Sequence, residues 1–265
     1  IILNMNKKGF TLIGLFFIFI ILINSNVAKA GDCETTISSA TTSQLTCADD
    51  DSLTFTSAGS ISYNNHKTID LEDEKGVQIT NNGTIETTNN SNKQKPIHAQ
   101  SSLDFTITNS GTINSDNNEG IYLDYAENVT ITNNTGATIS AEGANAIEGK
   151  NIGWCDKGEN NDNCQSSLSS SGSTGVGLTL HNHGMISSAN WTVWFGSGSG
   201  GSPRSRGNKI YNYDGGTIKS TSGNSPIVGK FFTDSEIINY EGATIESASR
   251  FGIDTEYGSN ITIDN

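Results

Sequence analysis

The sequence predicts an all-β fold, a right-handed parallel β-helix wound in three-strand coils of about 26 residues. Three observations predict it. A phrase of alternating apolar residues ending in Asn, then Gly and Thr-Ile, returns along the chain. A further short apolar segment lies midway between successive copies. The composition, with 33% hydrophobic and 16% charged residues, 29 Gly and 3 Pro, suits neither a thick α/β core nor long helices. A narrow solenoid needs few apolar residues, each buried aliphatic contributing roughly 1.5–3 kcal/mol. No coil closes its own core, so the stack is stable only as a whole. Disorder, the alternative for a chain rich in Ser, Thr, Asn and Gly, does not account for the recurrent Ile positions.

In chain order, residues 1–30 read as an address. Met5 is followed by Lys7 and Lys8, and then by an apolar run from Phe10 to Ile23. That run is short for a bilayer span. Ala28-Lys29-Ala30 supplies a small-x-small cleavage site, so a secretory signal peptide cut before Gly31 is expected. A prepilin-type leader cut after Gly9 is the competitor, but Gly14 stands where that leader places Glu. Ile1 to Asn4 precede the first Met and are read as upstream sequence. Cleavage would remove Lys7, Lys8 and Lys29 and no acidic residue, making the chain still more acidic.

Residues 31–52 lack the repeat and contain Cys33 and Cys47, so they are expected to form an N-terminal cap over the open end of the stack. Cys155 and Cys164 form a second local pair. In an exported chain two local disulfides, Cys33 with Cys47 and Cys155 with Cys164, are the simplest reading. Zinc is the alternative, but there is no CxxC spacing and the pairs lie far apart.

The β-helix is expected over residues 53–265. The phrase reads Val77-Gln78-Ile79-Thr80-Asn81 then Gly83-Thr84-Ile85, and returns with its Asn at Asn109, Asn133, Asn182, Asn212, Asn239 and Asn265. An earlier copy, Leu53-Thr54-Phe55-Thr56-Ser57, places Ser57 in that slot. The spacing between these slots is nearly regular, except that the step from Asn133 to Asn182 is close to twice the others. That step is either two merged copies or one copy with an insertion of roughly 20 residues. The last copy stops at Asn265, just as it reaches its Asn, so further repeats are expected beyond it. The midway segments include Thr68-Ile69-Asp70-Leu71, Gly120-Ile121-Tyr122-Leu123 and Thr192-Val193-Trp194. Strict alternation marks strands with one buried face. Asn and Gly suit the corners because both tolerate positive φ. Stacked coils would bring the side chains of Asn81, Asn109, Asn133, Asn182, Asn212 and Asn239 about 4.8 Å apart, close enough to hydrogen-bond as a ladder.

A leader, a capping segment and Thr-Ile/Asn-Gly repeats together resemble the passenger region of bacterial autotransporters. The stretch Thr36-Ile37-Ser38-Ser39-Ala40-Thr41-Thr42-Ser43, followed by Cys47-Ala48-Asp49-Asp50-Asp51-Ser52-Leu53, is similar to the start of such passengers. The resemblance implies export through the inner membrane of a Gram-negative bacterium to the cell surface or medium. It also implies attachment to the outer membrane only through a C-terminal β-barrel, expected beyond Asn265. The passenger would act as a rigid stalk or adhesin-like module without catalysis, its partner a surface glycan or protein.

The same fold type carries polysaccharide lyases and hydrolases, which makes a carbohydrate-active enzyme the alternative. Asp49-Asp50-Asp51 is a run, and neighbours on a strand face opposite sides, so it does not converge. His183-Gly184 resembles the His-Gly element of galacturonan hydrolases, but Gly184 belongs to the repeat. A convergent set of three carboxylates on one face would favour an enzyme. His181 and His183 lack an evident third metal ligand, and the calcium-binding nonapeptide is missing, so no metal or cofactor is expected. Asp70, Glu72, Asp73 and Glu74 read as a solvated turn. A net charge of −13 speaks against nucleic acid as a partner. Two loops are expected to carry contacts. Residues 151–174 hold Trp154 and the second Cys pair, and residues 196–208 are rich in Gly and Ser. Trp191 and Trp194 before the second loop, with Arg204 and Arg206 at its end, form the candidate binding patch.

Overall fold

Alternation along the sequence becomes stacking in space. The computed structural model describes residues 33–64, 66–88, 94–153, 176–196 and 205–265. The expected signal peptide, the Cys155–Cys164 pair, Trp154 and Arg204 lie outside the described residues. The described residues contain 25 strands and no helix, and the strands form three parallel sheets. Each coil contributes one strand to each sheet in turn, so strands three apart in sequence are hydrogen-bonded neighbours in space. This is a parallel β-helix.

The first sheet runs through Thr35–Ile37, Ser52–Phe55, Gln78–Asn81, Thr106–Asn109, Val129–Asn133, Leu178–Asn182, Lys209–Asn212, Thr233–Asn239 and Ser259–Asp264. Nine strands at ordinary spacing extend it roughly 38 Å along the stack. The second sheet begins at Ala40–Thr41 and ends at Thr244–Ser247; the third begins at Leu45–Thr46 and ends at Ile253–Glu256. Ile79, Ile107, Ile131, Leu180, Ile210 and Ile237 are buried in one stack inside the first sheet. Ile61, Ile85, Ile113, Ile139, Ile186 and Ile218 do the same inside the second. Ile69, Ile97, Ile121, Ile147, Val193 and Ile227 line the third. Together they belong to one continuous hydrophobic core.

The corner between the first and second sheets is built on asparagine. The side chains of Asn81, Asn109, Asn133, Asn182 and Asn212 are fully buried. Each Nδ2 donates to the Oδ1 of the next coil's Asn, from Asn81 through Asn239 to Asn265, at 2.7 to 2.9 Å. The second amide hydrogen reaches a backbone carbonyl of the next coil, Thr138 for Asn109 and Met185 for Asn133. The Oδ1 atoms of Asn81, Asn109 and Asn182 also accept the N–H of the Gly two positions on. A buried amide with all its hydrogen-bonding capacity used is stable, whereas an apolar side chain there would strand those backbone groups. Gly111 is small for a steric reason: a Cβ there would collide with the Gly83 carbonyl of the coil below.

One sequence reading changes. Phe55, not Ser57, stands in register with Asn81, and Ile37 stands in register with Phe55. The strand lies further from its corner Gly in that coil than in the next, so matching Gly59 to Gly83 shifts the strand alignment. The ladder therefore starts at Asn81. The segment before residue 53 is itself wound: its strands Thr35–Ile37, Ala40–Thr41 and Leu45–Thr46 extend all three sheets. A disulfide joins Cys33 to Cys47 across this first coil.

The long step from Asn133 to Asn182 is one coil with an insertion. Asn133 pairs directly with Asn182, and Val129 with Leu178. The insertion leaves after Ile147–Lys150 and returns before Leu178–Asn182. The Gly/Ser-rich stretch leaves one coil later at the same corner, between Val193–Gly196 and Lys209–Asn212. This corner, from the third sheet to the first, is turned by residues in the left-handed region. Ser101, Tyr125, Asn151, Phe231 and Tyr257 follow the ends of their third-sheet strands with φ of 51° to 54°. Asn tolerates that conformation well; Phe and Tyr do so rarely.

Candidate functional site

The outward positions of the third sheet bring together side chains that lie far apart in sequence. In the strand Ile121–Asp124 the inward residues Ile121 and Leu123 are apolar, so Tyr122 and Asp124 face out. Parallel register then aligns Asp70, His98, Tyr122, Glu148, Trp194 and Val228 in one outward column. Gln100, Asp124, Lys150 and Gly196 form the next.

Tyr122 is the centre of this face. The His98 ring stacks on it with centroids 5.3 Å apart and planes 10° from parallel. Lys95 Nζ lies 3.9 Å and Lys150 Nζ 4.9 Å from the Tyr122 ring centroid, within cation–π range. The Tyr122 hydroxyl donates to Asp124 Oδ2 at 3.4 Å. Burial, and then the Asp124 charge, push the phenol up to about 12.

Two carboxylates flank the tyrosine, each held by a buried asparagine. Glu148 accepts from Asn145 Nδ2 at 2.6 Å and pairs with Lys150 Nζ at 2.7 Å. Burial, and then the charge of Glu119, hold Glu148 above the usual carboxylate range despite those partners. Asp124 accepts from Asn151 Nδ2 at 3.1 Å and is likewise raised, burial being the main cause. Lys150 sits where burial would favour the neutral amine, yet the Glu148 carboxylate keeps its pKa above the ordinary lysine value. Glu119 pairs with Lys95 at 3.0 Å. Glu119, Asp124 and Glu148 are thus carboxylates of one face, each matched to a cation or an amide.

At one end of the column, Asp70 lies on the strand Lys67–Asp70 and not in a turn. It meets Lys67 Nζ at 3.2 Å and His98 Nδ1 at 3.2 Å, and Glu72 meets the same ammonium at 2.6 Å. Burial alone would raise Asp70, but the hydrogen bond to His98 and the Lys67 charge leave it lowered. Asp70, Glu72 and His98 have the donor types of a metal site within 4.8 Å of one another, gathered around a lysine ammonium.

At the other end stand the tryptophans. Trp194 follows Glu148 in register and is nearly buried, and Trp191 stacks beside it with centroids 6.2 Å apart. The Trp194 ring lies over Gly196, where any side chain would collide with it. Of the patch expected from sequence, Trp191 and Trp194 belong to this face. Arg206 does not: its guanidinium turns along the corner to Asp234 at 3.1 Å. Sequence reasoning missed Tyr122, Asp124, Glu148 and Lys150. Their signal is the residue following each buried aliphatic of the third strand: Ile97-His98, Ile121-Tyr122, Ile147-Glu148, Val193-Trp194.

A second row of rings crosses the first sheet. His181 stacks with Tyr211 and Tyr213, His183 with Tyr213, and Tyr213 with Tyr240. These rings cover one another's faces. Burial, then the charge of His183, lowers the His181 pKa. The Asp49-Asp50-Asp51 run shapes a corner: Asp51 accepts the Ala48 N–H and Asp49 the Lys75 N–H.

No family model, curated protein or solved structure matches this chain.

Proposed function

We propose that the chain is an exported surface passenger of a Gram-negative bacterium, a rigid stalk with adhesin-like binding and no catalysis. The observation that carries this reading is the unbroken stack: one core and one asparagine ladder run through every coil from Gln78–Asn81 onward. Such a stack resists bending, because each coil is locked to its neighbours by three strand pairings. Its corners, where the inserted stretches leave, present contacts on a fixed frame. The leader read from residues 1–30 supports export, and the Cys33–Cys47 disulfide suits an oxidising compartment.

The test expresses the whole chain in a Gram-negative host. Export predicts a mature protein beginning at Gly31, and adhesion predicts retention on glycan- or protein-coated surfaces. A chain that stays in the cytoplasm with its leader intact contradicts the reading.

A carbohydrate-active enzyme is the second reading, favoured by Glu119, Asp124 and Glu148 sharing one face, two of them with raised pKa. Raised carboxyls serve as general acids. Here, though, Glu148 is engaged by Lys150 and Asn145, and Asp124 by Asn151 and Tyr122. Release of reducing ends or unsaturated sugars from a bound polysaccharide would decide for the enzyme.

A further inference from the structure

We infer that the outer face of the third sheet, from Tyr122 across Glu148 to Trp191 and Trp194, is a binding site for a neutral, hydroxyl-rich ligand: a carbohydrate chain. The inference rests on the binding half of the proposed function and names the surface and the ligand class.

Three amide and indole atoms at this face have no partner, and Glu119 Oε2 has only its ion pair with Lys95. Asn145 and Asn151 each spend their amide N–H on a carboxylate, Glu148 and Asp124, while the Oδ1 of each has no hydrogen-bond partner. Trp194 Nε1 has none either. These residues are 4%, 3% and 9% exposed and the three atoms are covered in the free chain, so a ligand reaches them only where the covering side chains give way. Buried polar groups are nearly always paired, so each exception calls for a partner.

The unmet set is mixed, and that selects the ligand. Two acceptors need donors and one donor needs an acceptor. A metal cation would meet the amide oxygens but not the indole N–H, and it would stand near the ammonium groups of Lys95 and Lys150. A phosphate, sulfate or uronate would meet the indole but not the amide oxygens, and it would face the charges of Asp124 and Glu148. A hydroxyl group both donates and accepts. The charges also agree: Lys95 is matched by Glu119 and Lys150 by Glu148, so the face offers no strong field to an ion. Trp191, half-buried at the edge, supplies a flat apolar surface of the kind on which the C–H face of a sugar stacks.

The test uses the whole exported chain on a printed array of neutral, uronic-acid, sialylated and sulfated glycans, with hits titrated by tryptophan fluorescence. Neutral glycans are expected to bind. Trp191→Ala and Glu148→Gln should each weaken binding by about tenfold or more, while Tyr240→Ala on the first sheet leaves it unchanged. Circular dichroism checks that each variant is folded; should Glu148→Gln unfold, Trp191→Ala alone carries the comparison. Binding confined to anionic glycans, binding unchanged by Trp191→Ala, or no glycan binding by the folded chain would each overturn the inference. Adhesion to surfaces with a silent array would sink this site and leave the stalk reading intact. Neutral-glycan binding by a chain that is never exported would do the reverse.

Discussion

Asn133 shows what a single residue does in this molecule. It accepts from Asn109, donates to Asn182 and caps the Met185 carbonyl, all without contact with water. Asn133→Ala would leave a donor below, an acceptor above and the Met185 carbonyl each with one partner fewer. At about 1–3 kcal/mol for each buried group left unpaired, a loss of about 2–4 kcal/mol is expected in chemical denaturation. Glu74 works in the opposite sense. Burial, then Asp49, Asp51 and Asp73, raise its pKa from 4.5 to about 7. The folded state therefore holds a proton that the unfolded state has already lost, so stability falls as pH rises from about 4.5 through about 7. Glu74→Gln removes that slope: the variant should exceed the parent in stability at about pH 8 and match it near pH 4. A parent whose unfolding midpoint is flat across this window would contradict the assignment.

At the scale of the element, the coils are not equal. The first, from Ile37 to its register partner Phe55, is much shorter than those that follow, and its strands are two or three residues long. Short strands bury little, and the Cys33–Cys47 disulfide compensates by restricting the unfolded chain, by about 3 kcal/mol for a loop of this size. Reduction is expected to expose Thr35 to Thr46 to hydrogen exchange and proteolysis while the strands from Gln78 onward stay protected. Equal loss of protection along the whole stack would show instead that the first coil holds the others together. This coil was hard to read because its length falls outside the period that reveals the rest. The third strands were visible as apolar pairs but not as a site. Tyr122, Glu148 and Trp194 are widely separated in sequence, and only register shows that they are neighbours. The tryptophans stood out by type; Asp124, Glu148 and Lys150 looked like ordinary surface charges.

At the scale of the molecule, the architecture was legible because a solenoid repeats its instructions. Val-x-Ile-x-Asn fixes an inward face and a corner, and Gly-Thr-Ile starts the next strand. A copy number that arithmetic could not settle was fixed by pairing: the step from Asn133 to Asn182 is close to two periods, yet the two residues meet directly. The same pairing places Glu148 beside Trp194, so the candidate site exists only if that coil closes across its insertion. The most direct test is cross-linking of outward pairs in the first sheet, in a Cys155→Ser, Cys164→Ser background. Thr130 and Thr179 are in register on adjacent coils, whereas Thr106 and Thr179 are two coils apart. Adjacent strands lie within reach of a disulfide and strands two apart do not. Direct pairing predicts efficient oxidation of the Thr130→Cys, Thr179→Cys variant and none of the Thr106→Cys, Thr179→Cys variant. Failure of the first pair in a folded protein would mean that another coil lies between Asn133 and Asn182, separating Glu148 from Trp194 and dissolving the site.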